Sequence, residues 1–248
     1  MQKSKAPGLG VILACALAAL LAPGSVVAAK PTTPLDPALC APNQSFSTTI
    51  TNSYFPLPVG RRWVYQGREK GQTIGLRITV LNQTERLRFG GSTVTTRVVE
   101  EVEWFDTNAN GVIDAGEPLI EVSRNFFAQA ANGTVCYFGE EVDIFNEDGT
   151  ISHEGAWRAD EPGNAPGIFM PANPQMGMTF QQENAPGVAE DTATIIRSGS
   201  YTVRAGTFPT TITVRDFNPL DGSKSTKVYA AGTGLIADGP LELISVSG

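Results

Sequence analysis

The chain has 248 residues, 41% of them apolar, and carries 25 acidic against 18 basic side chains for a formal net charge of −7. That balance disfavours nucleic acid and anionic membranes, both of which call for basic patches, so neither is an expected partner. The length suffices for one β domain or two small ones and for a sizeable buried core.

Lys3 and Lys5 give the chain a basic start. Val11 to Leu21 is an apolar run, Pro23 and Gly24 break it, and Val27-Ala28-Ala29 offers small residues for cleavage. This is the layout of a secretory signal peptide over residues 1–29, cut near Ala29. The apolar run is short for a membrane span, and no later stretch is apolar enough for one. Ile12-Leu13-Ala14-Cys15 loosely resembles a lipoprotein processing site, but the apolar segment continues well past Cys15. Removing residues 1–29 takes away two lysines and no acid, which moves the net charge to −9. The expected location is secreted or periplasmic.

Residues 30–45 are rich in Pro, Thr and Asn and read as an extended arm; residues 46–248 read as a single β domain. Cys40 and Cys136 remain after cleavage, and an oxidising compartment predicts a disulfide between them. Neither sits in a Cys-x-x-Cys pair, so its role is a staple.

From Arg62 onward, short β-branched and aromatic runs alternate with Gly, Asn, Asp and Pro. Trp63 and Tyr65 alternate in the first run, and Ile74, Leu76, Ile78 and Val80 in the second, as in strands with one buried face. Gly90-Gly91 turns the chain. Thr93 to Trp104 predicts a long strand, although Val98, Val99, Val102 and Phe105 also fit a helix face. Strands are expected over 119–129, 134–138, 149–157, 178–182, 191–197, 201–204, 208–214, 227–230 and 241–246. Asn132-Gly133 and Asp148-Gly149 are hairpin turns by composition. Residues 155–187, poorer in strand signal, read as a long excursion over one face of the sheet. With no capped amphipathic helix and no βαβ rhythm, the expected fold is all-β: an antiparallel curved sheet, half-barrel or sandwich.

Residues 106–117 read Asp-Thr-Asn-Ala-Asn-Gly-Val-Ile-Asp-Ala-Gly-Glu. Asp106, Asn108, Asn110, Val112, Asp114 and Glu117 fall on positions 1, 3, 5, 7, 9 and 12 of a twelve-residue calcium loop. Ca²⁺ takes six to eight oxygens at about 2.3–2.6 Å, and alternate side chains converge on it as the chain wraps. Gly111, at position 6, allows the sharp turn. Val112 contributes its carbonyl, and Glu117 closes the site with two oxygens. The expected cofactor is Ca²⁺ in a structural role, although a lanthanide ion satisfies the same oxygens. The twelve residues resemble the loops of EF-hand and dockerin proteins. Pro118 and the strand-like Leu119-Ile120-Glu121-Val122 depart from the helical flanks of that group, so the loop reads as a lone clip between strands.

The stretch from Tyr54 to Tyr65 (Tyr-Phe-Pro-Leu-Pro-Val-Gly-Arg-Arg-Trp-Val-Tyr) is similar to the opening of a group of uncharacterised exported bacterial β proteins. Lys227 to Ile236 is similar to their closing segment, and Val135 to Glu140 and Pro166 to Pro171 fit the same group. The resemblance implies an antiparallel, curved-sheet or half-barrel fold and no activity.

His153 is the only histidine. A His-based zinc site is therefore excluded within one chain, and no Gly-x-Ser-x-Gly elbow accompanies it for a hydrolase triad. Remaining catalytic candidates are carboxylates: Glu140, Glu141 and Asp143, and Glu183, Glu190 and Asp191. Their simplest reading is as solvated acids, and that of Trp63, Trp104 and Trp157 is core packing. The expectation is a non-enzymatic, calcium-stabilised binding or structural protein. A secreted carboxylate hydrolase acting on polysaccharide is the alternative, to be favoured by acids converging in an aromatic-lined cleft.

Overall fold

The structure, a computed structural model, describes residues 34–248. The expected signal peptide and the first residues of the arm lie outside the described residues. A short 3-10 turn, Pro37–Cys40, is capped by the Asp36 side chain. The strands that follow are β1 (Phe46–Ser47), β2 (Ile50–Asn52), β3 (Phe55–Leu57), β4 (Arg62–Glu69), β5 (Gln72–Phe89) and β6 (Ser92–Phe105). Next come β7 (Leu119–Ala130), β8 (Val135–Phe145), β9 (Ile151–Ser152), β10 (Trp157–Arg158), β11 (Ala165–Met170) and β12 (Thr179–Gln181). The last are β13 (Glu183–Asn184), β14 (Thr192–Val203), β15 (Gly206–Phe217), β16 (Lys224–Ala230), β17 (Gly234–Asp238) and β18 (Leu241–Ser247).

All pairings are antiparallel, and one sheet runs in the order β12-β14-β15-β16-β17-β18-β4-β5-β6-β7-β8-β11-β13. Its two ends, β12 and β13, are separated in sequence only by Gln182. One stretch of chain thus serves both edges, and the sheet bends round into a nearly closed barrel. Closure removes the unpaired edges that an open sheet would expose. At the seam the amides of Gln182 and Glu183 both donate to the Asp191 carbonyl. Gly167 of β11 faces this corner so closely that a Cβ there would lie 1.9 Å from the Gln182 carbonyl oxygen. Only glycine lets the two backbones meet.

The expected excursion over residues 155–187 is part of the wall instead: β11 pairs with β8 and with β13. The sequence there is dense in Pro, Gly and Asn because the chain turns corners between very short strands. Thr93 to Trp104 is strand throughout, paired with β5 and, from Arg97 onward, with β7 as well. Residues 191–204, read as two strands, form the single strand β14 with register shifts at Ile195/Arg197 and Gly199/Tyr201.

The disulfide Cys40–Cys136 is present, with Cα atoms 5.8 Å apart across 96 residues of chain. A closure this long stabilises by about 4–5 kcal/mol in the chain-entropy account. It pins the arm, whose Leu35 and Leu39 pack on the core. Trp63, Trp104 and Trp157 are all buried, as packing residues. The opening and closing segments of the sequence meet: Trp63 Nε1 donates to the Thr233 carbonyl at 2.8 Å, and the Tyr65 hydroxyl to the Leu235 carbonyl at 2.8 Å. Among the described residues, no helix is long and apolar enough to cross a membrane.

Candidate functional site

Two groups of polar side chains stand out, both near the same end of the barrel. The first is the loop 106–117, which joins β6 to β7. Asp106 is fully buried: Oδ1 accepts from the Asn110 amide at 3.0 Å, and Oδ2 from the Gly111 amide at 2.9 Å and from Gln66 Nε2 at 2.6 Å. Asn108 Nδ2 and Asn110 Nδ2 both donate to Asp114 Oδ2 at 2.7 Å. Glu117 Oε1 accepts from the Thr107 amide at 2.7 Å, and Oε2 from the Asp114 amide at 3.1 Å. Val112 has an exposed side chain and donates its amide to Asn110 Oδ1 at 2.7 Å. All six expected residues therefore belong to one hydrogen-bonded knot. Gly111 takes φ +73°, and a Cβ on it would meet Ile244 Cδ1 at 2.5 Å, so the turn both needs and requires glycine. The amides of Asn108 and Asn110 hold the Asp114 carboxyl below its ordinary range.

The knot's chemistry is that of oxygen donors drawn together by hydrogen bonds. Among the described residues, no three His, Cys, Asp or Glu side chains gather closely enough to hold a metal ion by themselves. A cation in the loop would draw on the carboxamide oxygens of Asn108 and Asn110 as well as on its acids. Both carboxamides would have to turn their oxygens toward Asp114, exchanging amide donors for an ion.

The second group fills the barrel interior, a cavity of about 540 Å³. Period-two alternation places Val99, Glu101 and Glu103 of β6 on its wall, with Glu121, Ser123, Asn125 and Phe127 of β7 beside them. Glu103 lies directly opposite Glu121, Glu101 opposite Ser123, and Asn125 opposite Glu140 of β8. Directly opposed residues bring their Cβ atoms within about 4.5–5.5 Å, so Glu103 and Glu121 are immediate neighbours. Farther along the strands, the Tyr137 hydroxyl donates to Asn125 Oδ1 beside Glu140. Deeper still the wall is aromatic: Phe127 stacks on Tyr137 with centroids 4.8 Å apart, and Phe169 and Phe55 pack against Phe127 at 4.8 and 5.2 Å.

Among the residues lining the cavity, Lys227 is the single Lys or Arg, and its Nζ is 3.0 Å from Asp216 Oδ2. The acids are thus left without an equal number of cations. Burial pushes Glu101 up to about 7, against the partial relief of Lys227. Burial, then neighbouring acids, push Glu103 and Glu121 up to about 8. Glu140, Glu183 and Asp191 are raised by burial as well.

Of the carboxylates singled out from sequence, Glu140, Glu183 and Asp191 line the cavity; Glu141 and Asp143 point away from it, and Glu190 bonds the Gly187 amide. His153 is largely exposed, with Nδ1 2.8 Å from the Val142 carbonyl and 3.0 Å from Asp143. Sequence reasoning missed Glu101, Glu103 and Glu121. The available signal was the alternation Val99-Glu101-Glu103, which puts those acids on one face without saying which face is inside.

No family model matches the chain, and no curated protein matches it. Two solved structures align with it. One, from Bacteroides fragilis, carries the name "putative exported protein with YmcC-like fold"; it is 13% identical, with a TM-score of 0.40, over 80% of this chain and 100% of that one. The other, a "putative lipoprotein" from Parabacteroides distasonis, is 13% identical with a TM-score of 0.33, over 79% and 99%.

Proposed function

We propose that this is an exported binding protein in which residues 106–117 hold a calcium ion as a structural clip at the rim of the barrel. The observation that supports this reading is the knot: Asp106, Asn108, Asn110, Asp114 and Glu117 are drawn together by hydrogen bonds of 2.7–3.1 Å in the order the twelve-residue spacing requires. The clip would fix the β6–β7 hairpin at the end where Glu103 faces Glu121. Export rests on the layout of residues 1–29. With three acids in the loop, the affinity belongs to extracellular modules, on the order of 10⁻⁴ to 10⁻⁶ M. Calcium is expected to raise the melting temperature, and Glu117→Gln to abolish the gain. Identical melting curves in calcium and in chelator would overturn the clip.

A carboxylate hydrolase is the second reading, favoured by the convergence of Glu103 and Glu121 inside an aromatic-lined cavity. It ranks lower because hydrolytic pairs work by having their two pKa values pushed apart. Here the same cause, burial, raises both, and no cation beside either sets one apart as the ionised partner. Release of reducing sugar from a polysaccharide, lost in Glu103→Gln, would promote this reading over the first.

A further inference from the structure

The barrel cavity has a graded wall. Along β7 the inward residues run Glu121, Ser123, Asn125 and Phe127, from the rim that carries the 106–117 loop toward the base. Along β6 they run Glu103, Glu101 and Val99 in the same direction. The base is closed by the packed rings of Phe55, Phe127, Tyr137 and Phe169. At the mouth Val188 and Leu220 are exposed, at 49% and 47%.

Two carboxylate oxygens in this wall are buried without a donor among the described residues. Glu121 Oε2 belongs to a residue 9% exposed, and Asp191 Oδ1 to one 3% exposed; both residues line the cavity. A buried acceptor left unpaired costs about 1–3 kcal/mol, and more when charged, so such groups mark a place where a partner is missing. The partner has to donate hydrogen bonds and carry positive charge, because the single lysine of the wall is already engaged by Asp216. A bare metal ion does not suit the geometry, since the acids are spread over several strands and no three of the described ones form a cage. A cation with an extended body does.

We infer that the cavity binds an amphipathic organic amine, its ammonium group held by Glu121 with Glu103 and Glu101 beside it, and its hydrocarbon or aromatic body against the rings of the base. The volume of about 540 Å³ lies within the range of small-molecule sites. The rings present faces that also attract a cation. An ammonium group would supply the counter-charge whose lack, together with burial, keeps Glu101, Glu103 and Glu121 raised. This inference concerns the cavity and not the calcium loop, so either can fail alone.

The test is calorimetric titration of the mature chain, kept in saturating calcium at about pH 8, with octylamine, octanol, octanoate and spermidine as probes. Octylamine is expected to bind at least about tenfold more tightly than octanol or octanoate, a difference of ~1.4 kcal/mol. Glu121→Gln and Glu103→Gln are each expected to weaken octylamine by about fivefold or more while leaving octanol unchanged, as loss of one charged hydrogen bond implies. The wild-type series does not depend on either variant folding. Three outcomes overturn the inference: no octylamine binding at about 1 mM; octanol or octanoate binding as tightly as octylamine; or spermidine binding more tightly, which would make the site one for a polycation without an apolar body.

Discussion

Carboxyl groups in the loop and in the cavity are driven in opposite directions by the same barrel. Asp114 in the loop lies near the surface and receives two carboxamide donors, which hold it below its ordinary range. Glu103 and Glu121, a few residues away along β6 and β7, are buried without cations and held up at about 8. Hydrogen bonds to the charged form favour it, and removal from water disfavours it. An acid in the loop therefore supports folding when ionised, and an acid in the cavity opposes it.

The largest effect is expected from opening the cavity. Gly167→Ala would force a Cβ to within 1.9 Å of the Gln182 carbonyl at the barrel seam. A clash with the Gln181–Gln182 backbone, which cannot swing aside like a side chain, should cost about 3 kcal/mol or more, read as a fall in the urea midpoint. A cost under ~1 kcal/mol would show that the seam is loose and the cavity not truly enclosed.

Next comes pH. Glu101, Glu103 and Glu121 have folded values of about 7 to 8, above the ordinary 4.5. The groups facing them include Glu69, Glu140, Lys227 and Asp238. Between those limits the folded chain binds more protons than the unfolded chain, so stability falls as pH rises from about 5 to about 8. In chelator, urea unfolding should show this decline. Glu121→Gln should flatten the decline, with a much larger gain at pH 8 than at pH 5. A stability that instead climbs over this window would mean the cavity acids are ionised and paired.

The smallest effect belongs to the loop. Asp114→Asn is expected to leave the stability of the calcium-free protein nearly unchanged, because its carboxyl lies near the surface. It should nevertheless remove most of the gain that calcium gives, as measured by melting. A large loss without calcium would show that the loop's hydrogen bonds, rather than an ion, hold the hairpin end.

Much of this architecture is legible in the residues. The alternation Ile74-Leu76-Ile78-Val80 gives a strand because every second side chain of an extended backbone points the same way, and β5 carries it. Cys40 and Cys136 read as a pair because they are the two cysteines left once the expected signal peptide is set aside, and the structure joins them. The course of the loop is legible because the spacing of its polar residues, its glycine and its flanking strands are all local. Less legible was β11: Pro166 and Gly167 fall in the stretch 155–187 that read as an excursion over the sheet, yet close backbone approach makes glycine useful at a corner. Residues 191–204 were split at Ser198-Gly199-Ser200, where the strand bulges and continues.

The sequence by itself determined the strand periodicity, the turn chemistry, the staple and the twelve-residue loop, because each depends on neighbours within a few residues or on a count of side chains. Only the tertiary structure decided that Glu101, Glu103, Glu121, Glu140, Glu183 and Asp191 share one interior. Alternation tells which residues lie on a common face. Whether that face meets water or the inside of a barrel depends on where the sheet closes, and here that is settled by contacts between β11 and the seam at Gln182, far from most of the acids in sequence.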